Sequence, residues 1–193
     1  VGDGLVIDVS KNFTKILGYN AEKKTVTVQP GVIRDELNLY LKPHGVFFAP
    51  ITSTSNRAMI GGMVGNNSCG SNSVVYRSTR EHLLEVKALL SDGSEAVFGA
   101  MNLDEFHQKC EGDALENRIY RTVRTLLSNY DNQVEIRKEF PRKSVERRNT
   151  GYAVDMLLDT APFTAGEPDF NFCQLIAGSE GTLAFLTEIK LNV

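Results

Sequence analysis

Hydrophobic and polar positions along this chain switch repeatedly between two periods. Leu5-Val6-Ile7-Asp8-Val9 reads as a strand, and Thr25-Val26-Thr27-Val28 alternates as a half-buried strand does. Pro30-Gly31 breaks that run. Ile33, Leu37, Tyr40 and Leu41 then share one helical face, and Pro43 with Gly45 ends the helix. Val46-Phe47-Phe48 leads on to Pro50. Glu85–Leu90 and Glu95–Phe98, joined by Ser91-Asp92-Gly93-Ser94, predict a hairpin, and Asp-Gly favours a type I′ turn. Asn102 and Glu105 stand at capping-box spacing, with Asn in place of the usual Ser or Thr. Leu115, Ile119, Val123, Leu126 and Leu127 form a helical apolar stripe, expected to pack in the core. Leu183, Phe185, Ile189, Leu191 and Val193 recur at two-residue spacing, with Thr187 the one polar member. They predict a long final strand with one buried face.

Between the first helix and the hairpin the periodicity lapses. Ile60-Gly61-Gly62-Met63-Val64-Gly65-Asn66-Asn67-Ser68-Cys69-Gly70 carries four glycines and two adjacent asparagines in eleven residues. Glycine permits φ > 0 and lets a ligand approach main-chain N–H groups without a Cβ in the way. Consecutive N–H groups form concave anion sites, so the segment suits a phosphate-bearing cofactor. The bland alternative is a turn where two elements pack closely. No Gly-x-Gly-x-x-Gly and no Gly-x-x-x-x-Gly-Lys-Ser/Thr occurs, which leaves a Rossmann fingerprint and a P-loop unsupported. A second glycine turn, Gly178-Ser179-Glu180-Gly181-Thr182, feeds the final strand.

Composition narrows the classes. The 193 residues suit one domain or a large piece of one, long enough to bury a core without disulfides or metal. A net charge of 21 − 24 = −3 argues against nucleic acid as a partner, and no apolar run is long enough for a transmembrane segment. Cys69, Cys110 and Cys173 lack Cys-x-x-Cys spacing, and His44, His82 and His107 form no ligand pair, so no metal site is expected. Free thiols suit a reducing cytoplasm. Residues 137–148 hold six basic side chains against Glu139 and Glu146, which reads as a solvated loop or an anion-facing edge. A chain that opens at Val1, just ahead of a predicted strand, reads as a piece of something longer.

Taken in order, these motifs resemble a known family. Pro50-Ile51-Thr52-Ser53-Thr54, Ile60-Gly61-Gly62 through Asn66-Asn67-Ser68-Cys69-Gly70, Tyr76, the Leu-Ser-Asp-Gly hairpin and Gly178–Leu183 are similar to the FAD-linked oxidases of the vanillyl-alcohol oxidase, or PCMH, type. Phe140-Pro141 and Arg147-Arg148-Asn149-Thr150-Gly151-Tyr152 resemble the D-lactate and D-2-hydroxyglutarate dehydrogenase branch, some members of which carry a fused iron–sulfur domain. The resemblance runs over nearly the whole chain. It departs from the family at Ile51, where an acidic residue is usual, and at Arg77, where glycine is usual.

The resemblance implies an α+β fold, the larger subdomain of a PCMH-type FAD-binding domain, mainly antiparallel sheet flanked by helices. Residues 1–193 would then be an FAD-binding fragment, with a small N-terminal subdomain and its pyrophosphate loop before Val1 and a C-terminal cap domain after Val193. On that reading the isolated chain binds FAD weakly or not at all. The implied cofactor contacts are Pro50, Ser53, Thr54, Ile60, Gly61, Gly62, Asn66, Asn67, Gly70, Tyr76, Glu180, Gly181 and Thr182. Arg147, Arg148 and Tyr152 are candidates for the flavin or substrate side, because arginine matches a carboxylate by bidentate geometry. The implied reaction is hydride transfer from a D-2-hydroxy acid (D-lactate, D-2-hydroxyglutarate or glycolate) to flavin N5. The implied setting is cytoplasmic, with electrons passed to an iron–sulfur domain or to an acceptor at the inner membrane. Two other classes stay open: a flavoenzyme of the same fold acting on another alcohol, sugar or nucleotide sugar, and a non-redox binding module.

Overall fold

The computed structural model describes residues 6–145, 147–149 and 151–193. Its frame is one six-stranded antiparallel sheet: β1 (Ile16–Asn20), β2 (Thr25–Val28), β3 (Leu83–Leu89), β4 (Glu95–Met101), β5 (Phe170–Asn171) and β6 (Phe185–Asn192), in the spatial order β1-β2-β6-β3-β4-β5. The last strand of the chain therefore sits between the two early hairpins. Val26 faces Leu191 and Val28 faces Ile189, and all four side chains are buried. Each such aliphatic side chain contributes about 1.5–3 kcal/mol on full burial. This is the antiparallel α+β architecture that the motif order implied.

Helices cover the sheet. The first, α1 (Arg34–Leu41), starts with Asp35 and Glu36 against its positive end and buries Leu37 and Leu41. A 3₁₀ turn at Lys42–His44 follows, and Gly45 at φ 71° closes it, as Pro43 and Gly45 suggest. Next come α2 (Ile60–Asn66), α3 (Ser73–Tyr76) and α4 (Thr79–His82), all short. Between β4 and β5 lie α5 (Leu103–Lys109), α6 (Leu115–Ser128), α7 (Tyr130–Glu139) and α8 (Val154–Leu158), and α9 (Cys173–Ile176) follows β5. The Asn102 box forms as expected: Asn102 Oδ1 accepts the Glu105 N–H at 3.0 Å, and Glu105 Oε2 accepts the Asn102 N–H at 2.8 Å. A cluster of rings fills the space under these helices, with centroids 4.7 Å apart for Phe106–Phe170 and for Tyr120–Phe172, and 4.8 Å apart for Phe170–Phe172.

Five expectations change. Residues 6–9 form no strand; Asp8 Oδ1 accepts the Ser10 N–H at 2.8 Å and Val9 O accepts the Phe13 N–H at 3.2 Å, which curls the chain before it can pair (Leu5 lies outside the described residues). The edge strand is instead β1. The hairpin turn is not type I′, because Gly93 has φ 82° while Asp92 stays at negative φ. Gly93 N donates to Leu90 O at 3.0 Å and Leu90 N to Ser94 O at 2.9 Å, the three-residue loop that ends on a left-handed glycine. The α6 stripe is only partly core: Leu127 is buried, Leu126 is 52% exposed, and Leu115, Ile119 and Val123 line an open apolar groove of about 340 Å³. The buried face of β6 is confined to Ile189 and Leu191, with Leu183 exposed at its entrance.

The fifth concerns the basic stretch, which is neither a plain solvated loop nor a free anion-facing edge. Arg137 and Lys138 belong to the last turn of α7, and Lys138 pairs with Glu139 at 2.8 Å. Lys143 pairs with Asp159 at 2.9 Å, and Arg148 pairs with Asp155. The chain's own carboxylates engage much of this charge (Glu146 lies outside the described residues).

Candidate functional site

The two glycine motifs meet at one place. Helix α2 ends at Asn67, which adopts φ 51°, and its last carbonyls turn toward the Gly178–Thr182 turn. Gly178 N donates to Val64 O at 3.0 Å, and Glu180 N donates to Gly65 O at 2.9 Å. The turn needs left-handed backbone at Gly178 (φ 96°), Glu180 (φ 52°) and Gly181 (φ 72°). Thr182 closes it, with its N–H 3.0 Å and its hydroxyl 2.6 Å from Ser179 O. Between the motifs lies a cavity of about 370 Å³ walled by Pro30, Gly61, Gly62, Gly65, Ser179, Gly181 and Phe185.

The glycines of the first motif divide by role. A Cβ on Gly61 would lie 2.6 Å from the Pro30 Cβ, and one on Gly70 would fall on the Ile51 carbonyl. These two are set by close packing of neighbouring chain. Gly62 is exposed with nothing among the described residues within 4 Å of its ideal Cβ position, and Gly181 is equally open. Those two present bare main chain to the cavity, the surface a planar or phosphate-bearing ligand needs. Ile60 is fully buried, so only its backbone could serve the site, and its N–H already donates to Val32 O at 2.9 Å.

Asn67 and Arg80 join a third segment to this wall. Asn67 is 1% exposed; its Oδ1 accepts the Arg80 N–H at 2.9 Å and its Nδ2 donates to Arg148 O at 3.3 Å. Arg80, 2% exposed, donates from Nη2 to Ala177 O at 2.5 Å and to Gly151 O at 3.0 Å. Burial pulls its pKa below the ordinary arginine value; Glu81 opposes that and Arg148 adds to it. Arg148 faces Asp155 and is half-buried, whereas Arg147 is exposed. Tyr152 is hydrogen-bonded through its hydroxyl to the Thr182 hydroxyl, so the 147–152 segment touches the glycine turn directly.

The remaining candidates lie along the adjoining loop. Pro50 is buried and its carbonyl accepts Arg34 Nε at 3.0 Å; Ser53 is exposed and Thr54 half-buried. Tyr76 packs edge-on against Phe47 at 5.5 Å and is 41% exposed. Arg77, where the family pattern has glycine, takes φ 60°, ψ −144°, so the glycine-type backbone persists under a bulky residue. Arg80 was missed from sequence, as were Pro30 and Ser179 as cavity walls. The one local signal was Ser78-Thr79-Arg80-Glu81, a capping-box spacing that places α4; Glu81 Oε2 accepts the Ser78 N–H at 2.9 Å. Among the described residues, no cluster of metal-ligating side chains occurs and no helix is long and apolar enough to cross a membrane.

The chain is similar to known proteins. The family described as FAD binding domain matches residues 1–99. D-2-hydroxyglutarate dehydrogenase of Pseudomonas putida is 37% identical over 191 residues, covering 99% of this chain and 18% of that protein. The protein of the same name from Haemophilus influenzae is 34% identical over 194 residues, covering 100% of this chain and 18% of its own length. The chain thus spans about a fifth of the curated relatives it matches. Among solved structures, alkyldihydroxyacetonephosphate synthase superposes with a TM-score of 0.51 at 15% identity, covering 94% of this chain and 21% of that one, a likeness of fold.

Proposed function

The chain belongs to the FAD binding domain family, and from that premise we propose that it forms one wall of the flavin site in a dehydrogenase of D-2-hydroxy acids. The observation that carries the reading is one cavity walled by glycines of both motifs, Gly61, Gly62, Gly65 and Gly181, with Arg148 and Tyr152 bonded to the flanking Asn67 and Thr182. When bound, FAD supplies the redox chemistry by accepting a hydride from the substrate's α-carbon. The protein's part is position and charge. Gly62 and Gly181 offer main chain to the cofactor without side-chain obstruction. Asn66, Asn67, Glu180 and Thr182 fix the two lips of the cavity, with Pro50, Ser53, Thr54, Gly70 and Tyr76 along the adjoining loop.

Arg148 is engaged by Asp155 and by its place against Asn67, which makes it a support. Arg147 is exposed, so it is the better candidate to meet a substrate carboxylate, and the Tyr152 hydroxyl stands at the glycine turn against Thr182. The relatives' shared name supports D-2-hydroxyglutarate as the first substrate to try, with D-lactate and glycolate, which the resemblance implies, next. The three free thiols support a reducing compartment, hence the cytoplasm. An iron–sulfur domain or an acceptor at the inner membrane is the proposed electron sink, on the resemblance alone. The test is anaerobic mixing of the full-length, FAD-loaded protein with each acid in turn. Bleaching of the oxidised-flavin absorbance by D-2-hydroxyglutarate, and less by the others, is expected. Bleaching by none of the three would overturn the substrate class.

A further inference from the structure

Arg80 reaches the cavity wall only through main chain, yet it links all three segments of the site. Its guanidinium Nη2 lies 2.5 Å from Ala177 O and 3.0 Å from Gly151 O, while its own N–H is held by Asn67. The peptide whose carbonyl it grips is the one whose N–H, at Gly178, donates to Val64 O. A cation on one end of a peptide strengthens the hydrogen bond at the other end. Gly178 is fitted to this cation: at φ 96°, a Cβ there would stand 2.8 Å from Arg80 Nη2 and 2.8 Å from Gly151 O. Among the described residues no carboxylate lies within ion-pair distance of Arg80, so its bonded partners are carbonyls. A buried cation is a costly way to fill a core, since an apolar side chain of similar volume often serves stability as well or better. What the guanidinium adds is direction, two donor bonds from one nitrogen to two loops.

We propose that Arg80 is a positioning residue for the flavin: it sets the Ala177–Thr182 turn against the 151–152 peptide, and so fixes the wall that meets the cofactor. The proposal rests on the flavin reading above. Arg80→Lys keeps the charge but carries it on a shorter side chain without the planar guanidinium that aims Nη2 at both carbonyls; Arg80→Met keeps most of the volume and loses charge and donors. In the full-length protein, Arg80→Lys is expected to weaken FAD binding about tenfold and Arg80→Met about a hundredfold, the range for charge-assisted hydrogen bonds. Both should alter the circular dichroism of the bound flavin bands. Guanidinium ion at low concentration should restore part of the affinity in Arg80→Ala and leave the wild type unchanged.

Wild-type FAD affinity and flavin spectrum in both Arg80→Lys and Arg80→Met would overturn the proposal. So would a loss that tracks the unfolding midpoint alone, with no guanidinium rescue. If Arg80→Met does not fold, Arg80→Lys decides. Hydrogen exchange in residues 177–182 of FAD-free protein gives a readout independent of the cofactor. Faster exchange in Arg80→Lys with no FAD bound by the wild type would sink the flavin reading, while unchanged exchange with normal FAD binding would sink the role of Arg80.

Discussion

Asn66 and Glu180 meet across 114 residues of sequence, Asn66 Nδ2 donating to Glu180 Oε1 at 2.9 Å. The bond closes the lip of the cavity beside the main-chain bond from Glu180 N to Gly65 O. Glu180 holds its place at φ 52°, a conformation that costs a non-glycine residue about 1 kcal/mol. A solvent-exposed hydrogen bond of this kind contributes about 0.5–1.5 kcal/mol. Two substitutions therefore separate the terms. Glu180→Ala loses the bond and keeps the strain, so urea unfolding should report a loss of about 1 kcal/mol. Glu180→Gly loses the bond and the strain together, and its stability should stay within about 0.5 kcal/mol of wild type. Equal losses in the two variants would show that the left-handed backbone is not a cost here.

The glycines of the first motif make an internal control for site against scaffold. Gly70→Ala drives a methyl group into the Ile51 carbonyl, and Gly61→Ala presses one on Pro30 at 2.6 Å. Each should cost about 1–3 kcal/mol, the range for overpacking, with FAD affinity falling only as the fold does. Gly62→Ala meets nothing among the described residues within 4 Å, so its thermal midpoint should hardly move. Its added methyl projects into the cavity, and FAD titration of the full-length protein should show severalfold weaker binding. Unchanged FAD affinity in Gly62→Ala would remove that residue from the cofactor wall.

What could be read in the sequence was what is encoded locally. Helix α1, the Asn102 cap and the hairpin follow from spacing, caps and turn residues within a few positions of one another. Residues 6–9 misled because strand-forming side chains do not supply a partner strand, and Ser10 and Phe13 turn the chain first. The apolar stripe of α6 carried no mark to distinguish a groove wall from core. The glycine motifs announced a site but not which glycine serves it, since that depends on where Pro30 and Ile51 arrive in space. Arg80 was invisible for the same reason: its two carbonyl partners lie 71 and 97 residues away.

Arg77 offers a gain of stability at a site where the chain departs from the family pattern. It caps α3 at φ 60°, ψ −144°, close to the region that essentially only glycine occupies without strain. The side chain is exposed, so little packing is lost on removing it. Arg77→Gly should raise the unfolding free energy by about 1 kcal/mol, at the low end of the range for such strain. Denaturant melts of Arg77→Gly and Arg77→Ala make the comparison, since alanine removes the same side chain and keeps the strained backbone. A gain in both would assign the effect to the guanidinium instead.

The thiols predict both a labelling pattern and an alkaline limit. Cys69 is partly exposed, whereas Cys110 and Cys173 are buried and free. Burial raises the pKa of Cys173, with Glu85 adding to it, and burial likewise raises that of Cys110. The Tyr120 hydroxyl, buried with no hydrogen-bond partner among the described residues, is raised too by burial first and Glu116 next. The thiolate is the reactive form, so a disulfide reagent at neutral pH should label Cys69 in the native chain and reach the other two only on unfolding. For stability, the unfolded chain releases these protons near their ordinary values, about 8.5 for cysteine and about 10 for tyrosine, while the folded chain still holds them. Fewer protons bound in the unfolded state means that stability falls as pH rises, by up to about 1.4 kcal/mol per pH unit for each group fully engaged. Their contribution is therefore complete below about pH 8 and declines above it, through the raised folded values. Cys173→Ala should flatten the decline between about pH 8.5 and 10 in urea melts, whatever its effect at neutral pH. An unchanged slope in that variant would mean that Cys173 ionises alike in the folded and unfolded chains.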